Sequence, residues 1–238
     1  MSRLKTYITE AADKTPENEL LRLLTTQCKP FLKELKSTKT LIWRGVAQSI
    51  KEYRVIVPRK DRKPRDMPVF VSDMLDKAFQ KHHGWKPRST GVFTTTDYGN
   101  AYDNPYLFFP IGKYKYLWSK EADDLYLEMD QRAGTNWLKR DRDELVRNIK
   151  RATENYGSDH MFTRATKGNL KHYDKAKVDA PKAAEDIVQT YIDSTNYHKS
   201  DGNEITFKVS KYILVNESYL KNNYELNSYF IDNLHIRP

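Results

Sequence analysis

The segment that most constrains this chain is residues 204–215, EITFKVSKYILV, because it carries the clearest strand signal in the sequence. Ile205, Phe207 and Val209 alternate with polar residues and are followed by the apolar run YILV. Alternation with a period of two is typical of a strand that buries one face and exposes the other. The sequence therefore predicts a β-sheet that contains this segment.

Further strands are predicted in two other parts of the chain. The segment LIWRGV, 41–46, is a short apolar run with one embedded charge, which favours a buried strand over a helix. Residues 91–118 are rich in Thr, Tyr, Phe and Gly, with Gly and Asn-Pro as turn signals. They predict strands at about 91–95, 106–110 and 113–118, with a short helical turn near 97–102.

Helices are predicted on both sides of the first strand. Thr15-Pro16 is a capping signal for a helix over about 16–35, bent near Pro30. Asp66 precedes an amphipathic stripe that ends before Gly84. Farther along we expect helix in the second half of 122–155, a long loop over 156–180, and another helix that opens at Pro181.

Together these elements predict an α+β fold in one domain. At 238 residues the chain is long enough for one large domain, and it has neither an internal repeat nor a convincing linker. Sixteen Tyr, nine Phe and four Trp supply bulky core residues and argue against a disordered chain. We expect a single domain over 1–238, with a helical part at 1–40 and a β-core with inserted helices and loops at 41–238.

Charge and cysteine content narrow the classes of function. The formal charge of +9 favours contact with nucleic acid or another polyanion. Basic residues are densest in two runs: 51–65, which is expected to be a loop, and 139–151, which is expected to be helical. A solvated face is the simpler interpretation of both runs.

Cys28 is the single cysteine, which excludes an intramolecular disulfide framework, and it is predicted to be a buried structural thiol. With no membrane span or signal peptide in the sequence, a cytoplasmic location without membrane contact is expected.

Common catalytic signatures do not occur in the sequence. GxGxxG, GxxxxGK[ST] and GxSxG are missing, and none of the six histidines has an HxxxH or HExxH spacing. The sequence accordingly gives no support for a metal site, without excluding one. Three weaker features remain, each with a plain structural alternative.

These features are a cation, a run of hydroxyls and a carboxylate. Arg44 lies inside an apolar strand, where it forms either a buried ion pair or a rigid guanidinium grip on a phosphate or ribose. Thr94-Thr95-Thr96 end a strand, which reflects either β-propensity or a pocket lined with hydroxyls. Glu204 begins the strongest strand directly after SDGN, 200–203, where its plain interpretation is an edge charge.

In chain order the three features resemble a known family. LIWRG, RSTGVFTTTD and GNEITFKVSKYILV resemble the Arg, Ser-Thr-Ser, Glu arrangement of the ADP-ribosyltransferases, most closely in the last part. The chain looks like the phage-encoded members, in which a helix leads to an Arg-Gly strand. The resemblance covers about 44–48, 88–118 and 198–215. It implies a split, strongly bent β-core that binds NAD, as a substrate, between two small sheets.

The resemblance also implies a role for each site residue. Arg44 would hold the phosphates and nicotinamide ribose of NAD with Gly45 beside it, and Phe93 would line the pocket. Thr94, Thr95 and Thr96 would take part in binding NAD by bracing the cleft, and they would orient Glu204. Thr94, Arg44 and Glu204 are the residues expected to be catalytic. Glu204 would accept a hydrogen bond from the ribose 2′-hydroxyl and stabilise the oxocarbenium-like cation left as nicotinamide departs. If the hydroxyl motif starts one residue later, Asp97 takes its third place.

The acceptor is predicted to be something other than arginine. Family members that modify arginine carry a second Glu two residues before the catalytic one, which the period of two places on the same strand face. Here that place is Gly202, so another protein side chain, a nucleic-acid group or water is expected as acceptor. The prediction is an NAD-dependent mono-ADP-ribosyltransferase, a phage effector that modifies a host component.

Two alternatives come from other classes of protein. The first is a non-enzymatic nucleic-acid-binding protein, based on the charge of +9 and the basic loop 59–65, RKDRKPR. The second is a virion or assembly protein that keeps the transferase fold without its activity.

Overall fold

A computed structural model describes residues 16–60, 62, 67–194 and 196–238. Thr15 and Asp66 lie outside the described residues, as do residues 61 and 63–65 of the basic loop. The described chain divides into two compact units: a β unit, up to Pro58 with Gly91–Trp118 and Asp193–Pro238, and a helical unit, Arg59–Thr90 with Ser119–Ile192. The single domain over 1–238 stays a prediction.

The β unit contains a five-stranded antiparallel sheet. Its strands are β1 (Trp43–Val46), β2 (Tyr53–Ile56), β3 (Val92–Thr95), β4 (Asn104–Trp118) and β5 (Glu204–Val215). The order is β2-β5-β3-β1-β4, and β4 also pairs with β5, so that four strands close into a small barrel-like core. The α+β class and the strand at 204–215 are confirmed.

Three details of the predicted strand region are wrong. β4 is one strand rather than two, because a register shift between Ile111 and Tyr114 accommodates Gly112, whose φ is +72°. β2 forms within the run 51–65 that was expected to be a loop, and it pairs with the second half of β5. Residues 97–102 form turns and bends rather than a helical turn.

Two helices precede the sheet in the β unit. They are α1 (Pro16–Gln27) and α2 (Lys29–Thr38), and the break at Cys28 agrees with the predicted bend near Pro30. Phe31 packs edge-on against Phe109, Tyr114 and Phe207, with ring centroids 5.8–6.2 Å apart. Burial of these rings fixes α2 against the sheet.

The helical unit contains α3 (Val69–His83), α4 (Pro87–Thr90), α5 (Leu125–Ala133), α6 (Arg142–Tyr156) and α7 (Met161–Val188). The expected loop over 156–180 and helix start at Pro181 are wrong, because α7 continues through both. Helix also occupies the first half of 122–155. The buried side of α7 consists mainly of small residues such as Thr163, Ala176 and Ala180. Because the helix lacks a regular spacing of large apolar residues, its sequence does not show the usual amphipathic pattern.

The β unit ends in α8 (Glu217–Asn222), α9 (Tyr224–Ser228) and a π-helical segment, Tyr229–Leu234. Phe230 packs against Phe109 in the core, and the Lys39 ammonium donates to the Leu234 carbonyl at 2.5 Å. None of the described helices is both long and apolar enough to cross a bilayer.

Candidate active site

The short strand β3 brings the three sequence features together. Thr95 pairs with Trp43 of β1 on one side and with Glu204 of β5 on the other. Arg44 is the next residue after Trp43. Residues separated by about fifty and by more than a hundred positions in the sequence therefore meet at one end of β3, within the β unit.

Arg44 reaches β3 through its side chain. Its Nη1 donates to the Phe93 carbonyl at 2.7 Å, and its guanidinium carbon lies 5.6 Å from the centre of the Tyr212 ring. Its Nε is buried and has no hydrogen-bond partner among the described residues. A guanidinium has five donors in a rigid plane, so one contact orients the group while most of its donors stay available to a ligand.

The plain alternative for Arg44 was a buried ion pair. Among the described residues Arg44 forms no ion pair with a carboxylate, and its fixed neighbours are a carbonyl and an aromatic face. Burying a cation without a paired anion is unfavourable unless hydrogen bonds or a bound anion compensate for lost hydration. The position therefore suits an anionic ligand.

The three threonine hydroxyls hold the start of β5. Thr94 donates to the Ile205 carbonyl at 2.8 Å and Thr95 to the Gly202 carbonyl at 2.6 Å. Thr96 accepts the Gly202 amide at 3.1 Å, and its hydroxyl lies 3.2 Å from that of Ser200. Threonine hydroxyls thus fix the turn and first residues that flank Glu204 on both sides.

Glu204 is partly buried at the first position of β5. The turn before it contains Asp201 and Gly202 at positive φ, 52° and 91°, and the Asn203 amide closes it on the Ser200 carbonyl at 3.0 Å. Gly202 therefore lies in a turn and not on the strand. The expectation that residues 202 and 204 share a strand face is wrong, because the period of two applies only from Glu204 onward.

Gly45 and Phe93 border these groups. A Cβ on Gly45 would lie 1.4 Å from the Tyr102 carbonyl oxygen, so only glycine permits the loop before β4 to cross β1 this closely. This close approach explains the glycine without a ligand, and a cofactor-binding role for Gly45 stays a prediction. Phe93 is half-buried, with its carbonyl engaged by Arg44.

Sequence reasoning missed two residues at this site, Tyr212 and Ser200. Tyr212 covers the Arg44 guanidinium, and Ser200 contacts Thr96. Asp97, the alternative third member of the hydroxyl motif, accepts the Gly99 amide at 2.8 Å and lies beside Gly202. The SDGN turn was recognised only as a turn, and Tyr212 only as part of an apolar run. These residues stand out only because they lie close in space to Arg44 and Thr96. The sequence does not show which distant residues come together when the chain folds.

The remaining candidates do not join this site. The Cys28 thiol is fully buried, as predicted, and burial raises its pKa from 9.0 to about 12, which keeps it protonated and unreactive. Most of the basic loop on which the nucleic-acid alternative depends lies outside the described residues. Within the described part of the chain, no group of three or more His, Cys, Asp or Glu side chains is arranged to hold a metal ion.

Arg44 of β1 and Glu204 of β5 are both connected to the same short strand, β3, the first by a side-chain hydrogen bond and the second by strand pairing. Phe93, which holds Arg44, and Thr95, which pairs with Glu204, are two residues apart, or about 7 Å along the strand. Comparison with protein-family models, with curated proteins and with solved structures finds no match to this chain.

Proposed function

We propose that this protein transfers ADP-ribose from NAD to a macromolecular acceptor and releases nicotinamide. The observation that carries the proposal is the double pairing of Thr95, with Trp43 next to Arg44 on one side and with Glu204 on the other. It brings together the three segments on which the resemblance to ADP-ribosyltransferases rests, and it does so with a guanidinium and a carboxylate at partly buried positions.

In this proposal Arg44 binds the anionic part of NAD. Its Nη1 bond to Phe93 and its contact with Tyr212 hold the guanidinium plane in place. The remaining donors, including the buried Nε, match the phosphate oxygens and the ribose of the dinucleotide. Phe93 and Gly45 lie next to this position.

Glu204 acts at the ribose. The bond from C1′ to the nicotinamide nitrogen breaks with its electron pair moving to the ring, so the leaving group departs neutral and needs no general acid. The ribose is left as an oxocarbenium-like cation, which a fixed carboxylate stabilises. An acceptor nucleophile then bonds to C1′ and gives up its proton.

The threonines position Glu204 rather than contact NAD. Their hydroxyls bind Gly202, Ser200 and the Ile205 carbonyl, which are the neighbours of Glu204 in the chain. A carboxylate held on both sides is preorganised for the cation and does not have to reorient during the reaction. The resemblance to phage-encoded members leads us to propose that the acceptor is a host component in the cytoplasm.

The test is incubation of the purified full chain with NAD labelled in the nicotinamide or in the adenosine part. We expect release of free nicotinamide and, with a lysate, transfer of the adenosine label to macromolecules. The Arg44→Ala, Glu204→Ala double variant is the matched control. No nicotinamide release from the wild-type protein, together with salt-dependent binding to nucleic acid, would favour the non-enzymatic alternative.

A further inference from the structure

Helix α7 carries a line of cations on its exposed side. Between residues 164 and 178 the sequence contains five Lys or Arg residues and one Asp. Four of these cations are exposed, and at about 100° per residue they fall within about 80° of arc and extend over about 17 Å of the helix. We call this set the α7 basic face: Arg164, Lys167, Lys171 and Lys175.

The carboxylates beside this face are paired with cations. Asp174 accepts a hydrogen bond from the Nε of Arg142 at 3.1 Å, and Asp179 accepts one from the Lys175 ammonium at 2.5 Å. The other three members of the α7 basic face have no carboxylate partner among the described residues. The face therefore has a positive potential that attracts a polyanion.

A cavity of about 550 Å³ lies beside the α7 basic face, between α6 and α7. Its apolar walls are Ile149, Leu170 and Val178, and the side chains of Lys167 and Lys171 line it as well. The remaining lining residues are the paired Asp174, Lys175 and Asp179. The volume lies within the range of about 300–1,000 Å³ for small-ligand sites. Apolar walls next to ammonium groups suit a flat, weakly polar group attached to an anion, as a nucleobase is attached to a phosphate.

Exposed aromatic rings lie at the loop that joins α6 to α7. Tyr156, at the end of α6, and Phe162, at the start of α7, are 55% and 54% exposed. Their ring centroids are 5.7 Å apart, and the His160 ring stacks on Tyr156 at 5.0 Å. Bases of a single strand stack on such rings with little regard to sequence. A stacking surface thus precedes Arg164, the first cation of the α7 basic face, by two residues.

We propose that the α7 basic face binds single-stranded nucleic acid. Its cations contact the phosphates, one base enters the cavity between α6 and α7, and further bases stack on Tyr156 and Phe162. The surface lies in the helical unit and uses none of the residues of the candidate active site. The inference therefore goes beyond the proposed function and does not depend on it.

A single strand fits these features better than two other polyanions do. A duplex keeps its bases paired and stacked, so it offers phosphates to the cations but no base to the cavity. A membrane-bound helix inserts an exposed apolar face between its cations. Here Ile149 and Leu170 are half-buried walls of a cavity, which suits a base that enters from a strand.

The test measures binding of the purified full chain, without NAD, to three probes by fluorescence anisotropy. The probes are single-stranded oligothymidylate of about 12 nucleotides, a duplex of the same length, and an abasic deoxyribose-phosphate oligomer of the same length. We expect oligothymidylate to bind at least about fivefold more tightly than the abasic oligomer, because only the former offers bases. It should also bind more tightly than the duplex.

The Lys167→Gln, Lys171→Gln double variant is decisive, because glutamine is a good helix former and removes both charges. Its dissociation constant for oligothymidylate should rise at least about tenfold. The slope of log K against log salt should become shallower by about 1.4, or about 0.7 for each lost phosphate contact. If this variant melts at a lower temperature than the wild type, Lys167→Ala, Lys171→Ala repeats the measurement.

The matched control is the Lys33→Gln, Lys177→Gln double variant. It removes two exposed lysine charges from helices, and neither lysine lines the cavity. Lys177 is about 120° around α7 from Lys171. The affinity of this control for oligothymidylate should stay close to that of the wild type.

The outcomes separate this inference from the proposed function. Equal affinity for oligothymidylate and the abasic oligomer, or unchanged affinity in the Lys167→Gln, Lys171→Gln variant, overturns the inference. Binding to vesicles that contain phosphatidylserine, without binding to oligothymidylate, identifies a membrane surface and overturns it as well. Nicotinamide release should be the same in this variant as in the wild type. Its absence from the wild-type chain overturns the proposed function and leaves the nucleic-acid surface standing.

Discussion

Arg44 and Glu204 are charged side chains at partly buried positions, and the two differ in how they are held. Arg44 contacts β3 and β5 with its own side chain, through the Phe93 carbonyl and the Tyr212 ring. The backbone around Glu204 is held by hydroxyls of its neighbours. We therefore expect substitutions of Arg44 to act through the shape of the side-chain head group, and substitutions of Glu204 to act through its charge.

Glu204→Gln should lower nicotinamide release at least about a hundredfold, because the amide keeps the shape of the side chain but removes the charge that stabilises the cation. NAD binding and the melting temperature should stay close to those of the wild type. Single-turnover release of labelled nicotinamide measures the first effect, and calorimetric titration with NAD the second. Near-normal turnover in this variant would remove Glu204 from the mechanism.

Arg44→Lys should weaken NAD binding by on the order of 1.5–3 kcal/mol, since an ammonium cannot reproduce the planar set of donors. The dissociation constant should therefore rise by about ten- to a hundredfold. Titration with NAD checks this, with a thermal melt beside it. Unchanged affinity with a strongly lowered melting temperature would mean that Arg44 serves the fold alone.

β3 has four residues, yet it pairs with both β1 and β5. Its burial pattern alternates only partly, because Thr94 and Thr95 are both buried, each about 5% exposed. Two consecutive buried threonines are compatible with a strand here because each hydroxyl has a main-chain carbonyl of the neighbouring segment as its acceptor.

Thr95→Val should destabilise the protein by about 1–2 kcal/mol, because it removes the bond to the Gly202 carbonyl and the bond from the Asp97 amide. Nicotinamide release should also fall, since the turn before Glu204 loses an anchor. Urea denaturation and turnover are measured together. Thr95→Ser keeps the hydroxyl and serves as the control; equal losses in both variants would point to the methyl group instead.

At the scale of the whole molecule, the β unit buries groups that ionise only at high pH. Burial raises the pKa of Cys28 from 9.0 to about 12. Burial and the Glu34 carboxylate, which accepts both hydroxyls, raise the pKa values of Tyr114 and Tyr116 well above 10.0. Burial also raises the pKa of Tyr197. In each case the folded state keeps a proton that the unfolded chain loses.

The protein should therefore lose stability as the pH rises above 9 to 10. Below the unfolded pKa values of 9.0 and 10.0 both states hold these protons, so the contribution is fully present; above them only the unfolded chain releases protons. Urea denaturation at pH 8, 9, 10 and 11 measures the slope. Tyr116→Phe should reduce it, whereas a stability that is flat to pH 11 would contradict the assignment.

Local patterns in the sequence are enough to predict several elements of the fold. The strand at 204–215 was predicted with its observed bounds because alternation and β-branched residues are properties of neighbouring positions. The helix break near Pro30 and the short strand around Arg44 depend on equally local signals. Helix α7, which begins at Met161 within the expected loop, could not be predicted in the same way, because its buried face consists mainly of Thr and Ala.

By itself the sequence determined which residues were candidates at the site: a cation in an apolar strand, hydroxyls at the end of another and a carboxylate at the head of a third. Only the tertiary structure decided that Thr95 lies between the segments of Arg44 and Glu204, that Gly202 is in a turn, and that Asp97 fills the space beside it. The physical reason is separation along the chain. The Thr95 hydroxyl and the Gly202 carbonyl are 107 residues apart in sequence, so their hydrogen bond depends on how the sheet closes and not on any local preference.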